Sequence, residues 1–165
     1  MLDRRVTLLA DPDHPETRQP FHAGLDTHAS RAATAVTRLV KAVERYAHRS
    51  VAHLISEYRA AGHRVRGVGI VVASLIDPAS IPNDHIRAHA EEGRLFRTVV
   101  EQALRPFRLR PRVTVERDLY ATATKVLRVP AGRLRTRVAM LGEILDGPWR
   151  AEEKAAALAA WMVLR

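Results

Sequence analysis

Residues 65–76 read VRGVGIVVASLI, a near-continuous run of aliphatic and β-branched residues with few polar side chains. A strand with one face in water alternates apolar and polar residues, whereas a strand buried on both faces of a parallel sheet reads as an unbroken hydrophobic run. Asp77 and Pro78 follow, and this pair is typical of a turn. The segment therefore predicts an interior strand, and the predicted fold class depends on it.

A long helix is predicted before this run. Apolar residues recur at steps of three and four from Val36 to Ala61, which indicates about 30 residues of helix with one buried face. Gly62 is placed to end it. Three residues could cap its start: Asp26, Thr27 and Ser30.

A second helix is predicted after the run, with Asn83 as its N-cap. Its expected core stripe is Ile86, Ala90, Gly93, Phe96, Val100, Ala103 and Leu104. A glycine inside a helix costs about 1 kcal/mol relative to alanine. Gly93 therefore predicts close approach by a neighbouring element, and the alternative is a glycine that is merely tolerated.

The remaining elements complete an alternating order. Residues 112–116 read as a compact strand, and helical patterns cover 119–127, 132–145 and 151–164. Two weaker strands, 5–10 and 21–25, flank a proline-rich surface loop at 11–20. Strands that alternate with helices predict an α/β fold, a mainly parallel central sheet flanked by helices in three layers. The length of 165 residues fits a single domain, 1–165.

Composition narrows the class of protein. The chain is 47% hydrophobic and has no cysteine, which excludes disulfides, thiolate metal sites and a cysteine nucleophile. No run approaches the roughly 18 apolar residues of a membrane span. The first residues are charged too early for a secretory signal. We therefore expect a cytoplasmic protein without a membrane partner.

The charge balance favours a polyanionic partner. The net charge is +9, from 27 basic and 18 acidic residues, and only Lys41, Lys125 and Lys154 are lysines. Arginine binds phosphate through its planar fork, so DNA or RNA is the expected partner. The alternative is a compositional bias with no function. The arginines expected to contact nucleic acid are Arg87, Arg94, Arg97, Arg128, Arg133 and Arg137.

The clearest chemical pattern is NDHIRAHAEEGRLFRT at residues 83–98. His85, His89 and Glu92 project from one helical face, because they are four and three residues apart. Imidazoles at this spacing can share a metal ion, with the carboxylate as a third ligand. A solvated helix face is the alternative.

Two aspartates could add to this pattern. The loop between Ser74 and Asn83 leaves the carboxyl end of the predicted strand, where open α/β sheets place ligand sites. It carries Asp77, and Asp84 follows it beside His85. The alternative is that both residues only stabilise a turn and a helix start.

Four segments of the chain resemble the ribonuclease H-like superfamily, in its Holliday-junction resolvase-like branch. They are LISEYRAAGHRVRGVGIVV (54–72), HIRAHAEEGRLFRTVVEQALRPFRLRPRVTVE (85–116), DLYATATKVLRVPAGRLRTRVAMLGEIL (118–145) and EEKAAALAAWMVL (152–164). The resemblance implies DNA cleavage by carboxylates gathered around divalent metal ions. It also implies that Glu153 is one of those carboxylates.

Most of the implied carboxylates are not matched. No Gly-(Ile/Leu)-Asp strand precedes residue 20, Ala73 and Ser74 stand at the end of the fourth strand, and Ala156 replaces an acid in the last helix. The resemblance therefore implies a degenerate nuclease centre.

Three functions follow from these patterns. The first is a nucleic-acid-associated domain whose metal-nuclease site is degenerate. The second is a metal-dependent nuclease or hydrolase with a rearranged site, which would use Mg²⁺ or Mn²⁺ if it is a nuclease; the cofactor is otherwise open. The third is a non-enzymatic assembly protein that forms a homodimer through its C-terminal helices. The candidate catalytic residues are Asp77, Asp84, His85, His89, Glu92 and Glu153.

Overall fold

The computed structural model describes residues 11, 13–25, 29–145 and 147–165, with only the backbone described at residues 29 and 30. Helical residues, 3-10 turns included, make up 72% of the described residues. The helices are α1 (Pro20–Leu25), α2 (Ala29–Ala60), α3 (Asp84–Leu104), α4 (Leu119–Leu127), α5 (Ala131–Leu141) and α6 (Ala151–Val163). The strands are β1 (Gly69–Val72) and β2 (Arg112–Val115). Short 3-10 turns lie at Pro15–Arg18, Pro78–Ser80, Arg105–Phe107, Glu116–Asp118 and Gly142–Ile144.

The predicted fold class is wrong. The described residues form one two-stranded sheet, in which β1 pairs parallel with β2 from Gly69 opposite Arg112 to Val72 opposite Val115. A three-layer ribonuclease H-like α/β architecture needs a larger, mainly parallel central sheet, so that description does not fit this chain.

The aliphatic run is the source of the error. Only Gly69–Val72 of it forms a strand, and each of these four residues is half-buried rather than buried. Leu75 and Ile76 are 52% and 54% exposed. A side chain at Gly69 would place its Cβ 2.7 Å from the backbone carbon of Ala159 in α6. The glycines of the run therefore serve close packing against a helix, a use that a sandwiched strand does not explain.

A second predicted strand is a helix. Residues 21–25 lie in α1, which Pro20 begins; proline favours the first turn of a helix because its φ is already helical. The other weak strand, residues 5–10, lies outside the described residues. The compact strand at 112–116 is confirmed as β2 over four residues.

The chain divides into two compact units. The sheet unit comprises β1, β2 and α4 to α6, within residues 65–73 and 109–165. The three-helix unit comprises α1, α2 and α3, within residues 11–64 and 74–108. The single domain expected over residues 1–165 stays a prediction.

The sheet unit has a hydrophobic core of its own. Its buried side chains are Leu119, Ala123, Leu127, Leu134, Val138, Leu158, Ala159 and Met162. Trp149 packs at the edge of this core, and its indole Nε1 donates to the carbonyl oxygen of Val138 at 2.8 Å.

The long helix of the three-helix unit confirms its prediction. Its buried residues are Leu39, Val43, Ala47, Val51 and Ile55, four residues apart, which face the rest of the unit. Gly62 follows α2 with a φ of +79°, a conformation that suits glycine at a helix end. Asp26 and Thr27 lie outside the described residues, and so does the side chain of Ser30.

The start of α3 is also confirmed, because Oδ1 of Asn83 accepts from the backbone N–H of Ile86 at 2.9 Å. Its buried face is only partly the predicted one. Ala103 and Leu104 are buried as predicted, but Ile86 is 56% exposed, and Ala88, Glu92 and Val99 are buried outside the predicted stripe. The packing role predicted for Gly93 is wrong, because an added Cβ would meet no described atom within 4 Å.

No described helix is both apolar enough and long enough to traverse a lipid bilayer.

Candidate metal centre

Three histidines of the three-helix unit lie close together. His22 lies on α1, and His85 and His89 lie one turn apart on α3. One ring nitrogen of each lies within 4.8 Å of those of the other two. The ring centroids are 4.7 Å apart for His22 and His85, 4.2 Å for His22 and His89, and 4.8 Å for His85 and His89. Potential metal ligands therefore converge from two separate elements.

Local sequence brings the two helices to this position. Oδ1 of Asn83 fixes the first turn of α3, so His85 and His89 share a face by their spacing of four. Pro20 is buried at the start of α1. A Cβ on Gly24 would lie 2.5 Å from Cγ2 of Val36, so a larger residue there would require Val36 or α1 to shift.

A buried carboxylate supports the cluster. Glu92 lies one turn after His89 on α3 and is only 5% exposed. Its Oε1 lies 2.9 Å from Nδ1 of His22 and accepts from the backbone N–H of His22 at 3.3 Å. Its Oε2 lies 3.8 Å from Nδ1 of His89. One side chain thus contacts two of the three imidazoles and joins α1 to α3.

Glu92 contacts Nδ1 of His22 but not the other ring nitrogen, Nε2. Nε2 of His22 is buried and has no hydrogen-bond partner among the residues that the structure describes. A buried polar atom without a partner costs free energy, which a bound ligand would recover. Histidine ligands usually donate their second nitrogen to a carboxylate while the first binds the metal. His22 and Glu92 have that arrangement.

The donor set favours a zinc-class ion. Imidazole nitrogens suit Zn²⁺, Co²⁺, Ni²⁺ and Cu²⁺, whereas oxygen ligands suit Mg²⁺ and Mn²⁺. Tetrahedral zinc with bonds of about 2.0–2.1 Å needs nitrogens about 3.3 Å apart. Nitrogens as far as 4.8 Å apart must therefore draw closer on binding. His85 and His89 are exposed, so rotation of their side chains can supply this movement.

The two predicted aspartates lie elsewhere in the three-helix unit. Oδ1 of Asp77 accepts from the backbone N–H of Ala79 at 3.2 Å, and Nη1 of Arg94 lies 3.7 Å from it. Asp84 forms an ion pair with Arg87 in the first turn of α3. Within the described residues, the group of potential ligands at the candidate metal centre comprises the three histidines and neither aspartate.

Glu153 belongs to the sheet unit. Its Oε2 accepts from the backbone N–H of Arg150 at 2.8 Å, so the side chain caps the start of α6. Capping of α6 therefore explains why Glu153 is buried.

The predicted phosphate-binding arginines fall into two groups. Arg87, Arg94 and Arg97 lie on α3 beside acidic partners, with Glu91 2.6 Å from Arg94 and Glu101 3.7 Å from Arg97. Arg133 and Arg137 are exposed on α5, and Arg128 ends α4 with a φ of +55°. The guanidinium of Arg137 lies 5.8 Å from the ring of Trp161. The arginines of α4 and α5 therefore lie in the sheet unit, and those of α3 lie in the three-helix unit.

Sequence reasoning missed His22. The residue stands between a proline-rich segment and a glycine, and its short segment was predicted to be a strand. Pro20 is a local signal that could have corrected this, since proline favours the first turn of a helix through its fixed φ. Nothing in the sequence indicates that residue 22 meets residues 85 and 89.

No family model, curated protein or solved structure matches this chain.

Proposed function

We propose that this protein binds one zinc-class divalent metal ion per chain through His22, His85 and His89, with Glu92 orienting His22. The observation that supports it most strongly is the buried Nε2 of His22, which has no hydrogen-bond partner among the described residues, in a ring whose Nδ1 faces Glu92 at 2.9 Å. The pair of histidines on one face of α3 supplies the other two nitrogens.

Calorimetric titration of the tag-free protein with Zn²⁺ and with Co²⁺ tests this proposal. We expect saturation at one ion per chain. His85→Ala and His89→Ala should each abolish this binding and leave the fold intact, because both side chains are exposed and neither provides the contact between His22 and Glu92. His53→Ala is the matched control, since His53 is exposed on α2 and lies near Glu57. Equal binding by all four proteins would refute the proposed site.

A second candidate function is contact with nucleic acid through the sheet unit. This unit has about twice as many basic as acidic residues, whereas the three-helix unit is close to balance. Arg133, Arg135 and Arg137 are all exposed along α5, and the guanidinium of Arg135 lies 4.0 Å from the ring of Tyr120. Cation–π contacts of this kind hold a guanidinium in place on the surface.

Fluorescence anisotropy with labelled single-stranded and duplex DNA tests the second function. Binding should weaken steeply with added salt, because each neutralised phosphate releases counterions. The double variant Arg133→Glu/Arg137→Glu should lose affinity, while Arg38→Glu/Arg59→Glu on α2 makes the same charge change in the other unit and should lose less. Equal losses of DNA affinity in the two double variants would show that α5 is not the contact surface. Cytoplasmic location and homodimerisation stay predictions.

A further inference from the structure

We infer that the metal keeps one exchangeable coordination position, open to water or a small monodentate anion, and that Gly93 leaves this position uncovered. This inference rests on the proposed metal site and deepens it, because an open position separates a reactive metal centre from a purely structural one. Three arguments carry it: the engagement of Glu92, the composition of the cluster, and the position of Gly93.

Glu92 is placed beside the ligands rather than as a fourth ligand. Oε1 already faces both the ring and the backbone N–H of His22, at 2.9 and 3.3 Å. Oε2 faces Nδ1 of His89 at 3.8 Å. If Glu92 turned toward the metal, His22 would lose a buried hydrogen-bond partner and its orientation. Both carboxylate oxygens therefore stabilise the site more through their contacts with His22 and His89 than they would by binding the metal.

The cluster supplies three ligands in the described part of the chain. Zinc-class ions take four, and centres with three protein ligands fill the fourth position with water. Three other acids on α3 and its preceding loop pair with arginines: Asp84 with Arg87, and Asp77 and Glu91 with Arg94. The fourth position is thus left to solvent or to a ligand from solution.

Gly93 continues the line of the two histidines. It lies four residues after His89 and eight after His85, on the same side of α3. Side chains on a helix lean toward its N-terminus, so a side chain at position 93 would extend over the turn that carries His89. Glycine places nothing there, and an added Cβ would meet no described atom within 4 Å.

Packing does not explain this glycine. Gly93 is exposed in the middle of a helix of 21 residues, with a helical backbone and no close neighbour among the described atoms. Alanine would fit there without a clash. An uncovered approach to the histidines is a reason for the absence of a bulky side chain at this position, and the observed geometry supports it.

The Co²⁺-loaded protein gives a direct readout, because visible Co²⁺ bands respond to the number and kind of ligands. Thiocyanate, a monodentate anion, is the probe. We expect saturable changes in the visible spectrum of the wild-type protein as thiocyanate replaces bound water. Gly93→Phe should lower the thiocyanate affinity by about tenfold or more through steric exclusion, with Co²⁺ affinity unchanged. Gly93→Ala should bind thiocyanate as the wild type does.

The outcomes separate this inference from the metal site itself. Co²⁺ binding with a spectrum that ignores thiocyanate would overturn the open position and leave the three-histidine site standing. Thiocyanate binding that Gly93→Phe does not weaken would overturn the role of Gly93; Gly93→Leu serves if the phenylalanine variant does not fold. Failure of the wild-type protein to bind Co²⁺ would overturn both the site and the inference.

Discussion

Nδ1 of His22 lies 2.9 Å from Oε1 of Glu92, although 70 residues separate them in the chain. The side chain of His22 is 13% exposed and that of Glu92 is 6% exposed, so both polar groups have left water for this contact. Each would be costly to bury alone. Their contact joins α1 to α3 and sets the ring of His22 beside the two histidines of α3.

Metal binding should stabilise the protein. A ligand at about 100 times its dissociation constant adds about 2.7 kcal/mol to the free energy of unfolding. For a chain of this length that corresponds to a rise in Tm of about 5–10 °C. Thermal denaturation followed by circular dichroism, with Zn²⁺ and then with a chelator, measures it. The rise should vanish in His89→Ala, and a rise that survives in this variant would mean that the ion binds elsewhere.

Glu92→Gln should weaken metal binding without removing it. The amide keeps the shape of the carboxylate but loses its charge, and loss of such a supporting group lowers metal affinity about 10–100-fold. Titration calorimetry with Zn²⁺ measures the change. Glu91→Gln is the control on the same helix, because Glu91 instead pairs with Arg94 at 2.6 Å. We expect Glu91→Gln to change the Zn²⁺ affinity little. Equal losses of affinity in the two variants would show that Glu92 does not support the metal ligands.

Two glycine-to-alanine changes should have opposite effects on stability. A Cβ at Gly69 would lie 2.7 Å from the backbone of Ala159, so Gly69→Ala should separate β1 from α6 and lower the free energy of unfolding by about 1–3 kcal/mol. Gly93→Ala meets no described atom and removes a helix-interior glycine, which should raise it by about 0.5–1 kcal/mol. Urea denaturation of both variants checks the pair. Destabilisation by Gly93→Ala would show an unseen contact there.

Trp149 should report on the corner between α5 and α6. A Cβ on Gly142 would lie 2.4 Å from Cδ1 and Cγ of Trp149, so Gly142→Ala must displace the indole. The displaced ring would lose the hydrogen bond from its Nε1 to the carbonyl oxygen of Val138. We expect altered tryptophan fluorescence and a loss of about 1–3 kcal/mol of stability. Gly132→Ala on α5, which meets no described atom, is the control and should leave the fluorescence unchanged.

Helices were more predictable from the sequence than the sheet. Spacing of three and four residues predicted α2 as a helix of about 30 residues, against the observed 32, and Asn83 and Gly62 marked helix ends, because these signals are local. The aliphatic run at 65–76 was misinterpreted because a glycine-bearing strand against one helix lacks polar residues just as a sandwiched strand does. Period alone does not distinguish the two.

The candidate metal centre was predictable only in part. His85, His89 and Glu92 lie on one helix, so their spacing places them together. Glu92 is buried whereas His85 and His89 are exposed, because the core face of α3 is centred on Ala88 and Val99 rather than on Ile86 and Ala90. His22 reaches them only through the packing of α1, which depends on contacts that are distant in sequence.

Titration of Zn²⁺ into the wild-type protein and into His22→Ala tests the central claim most directly. The claim predicts one ion per chain for the wild type and none at that site for His22→Ala, with circular dichroism showing that the helices of the variant remain. Undiminished binding of one ion by folded His22→Ala would contradict it.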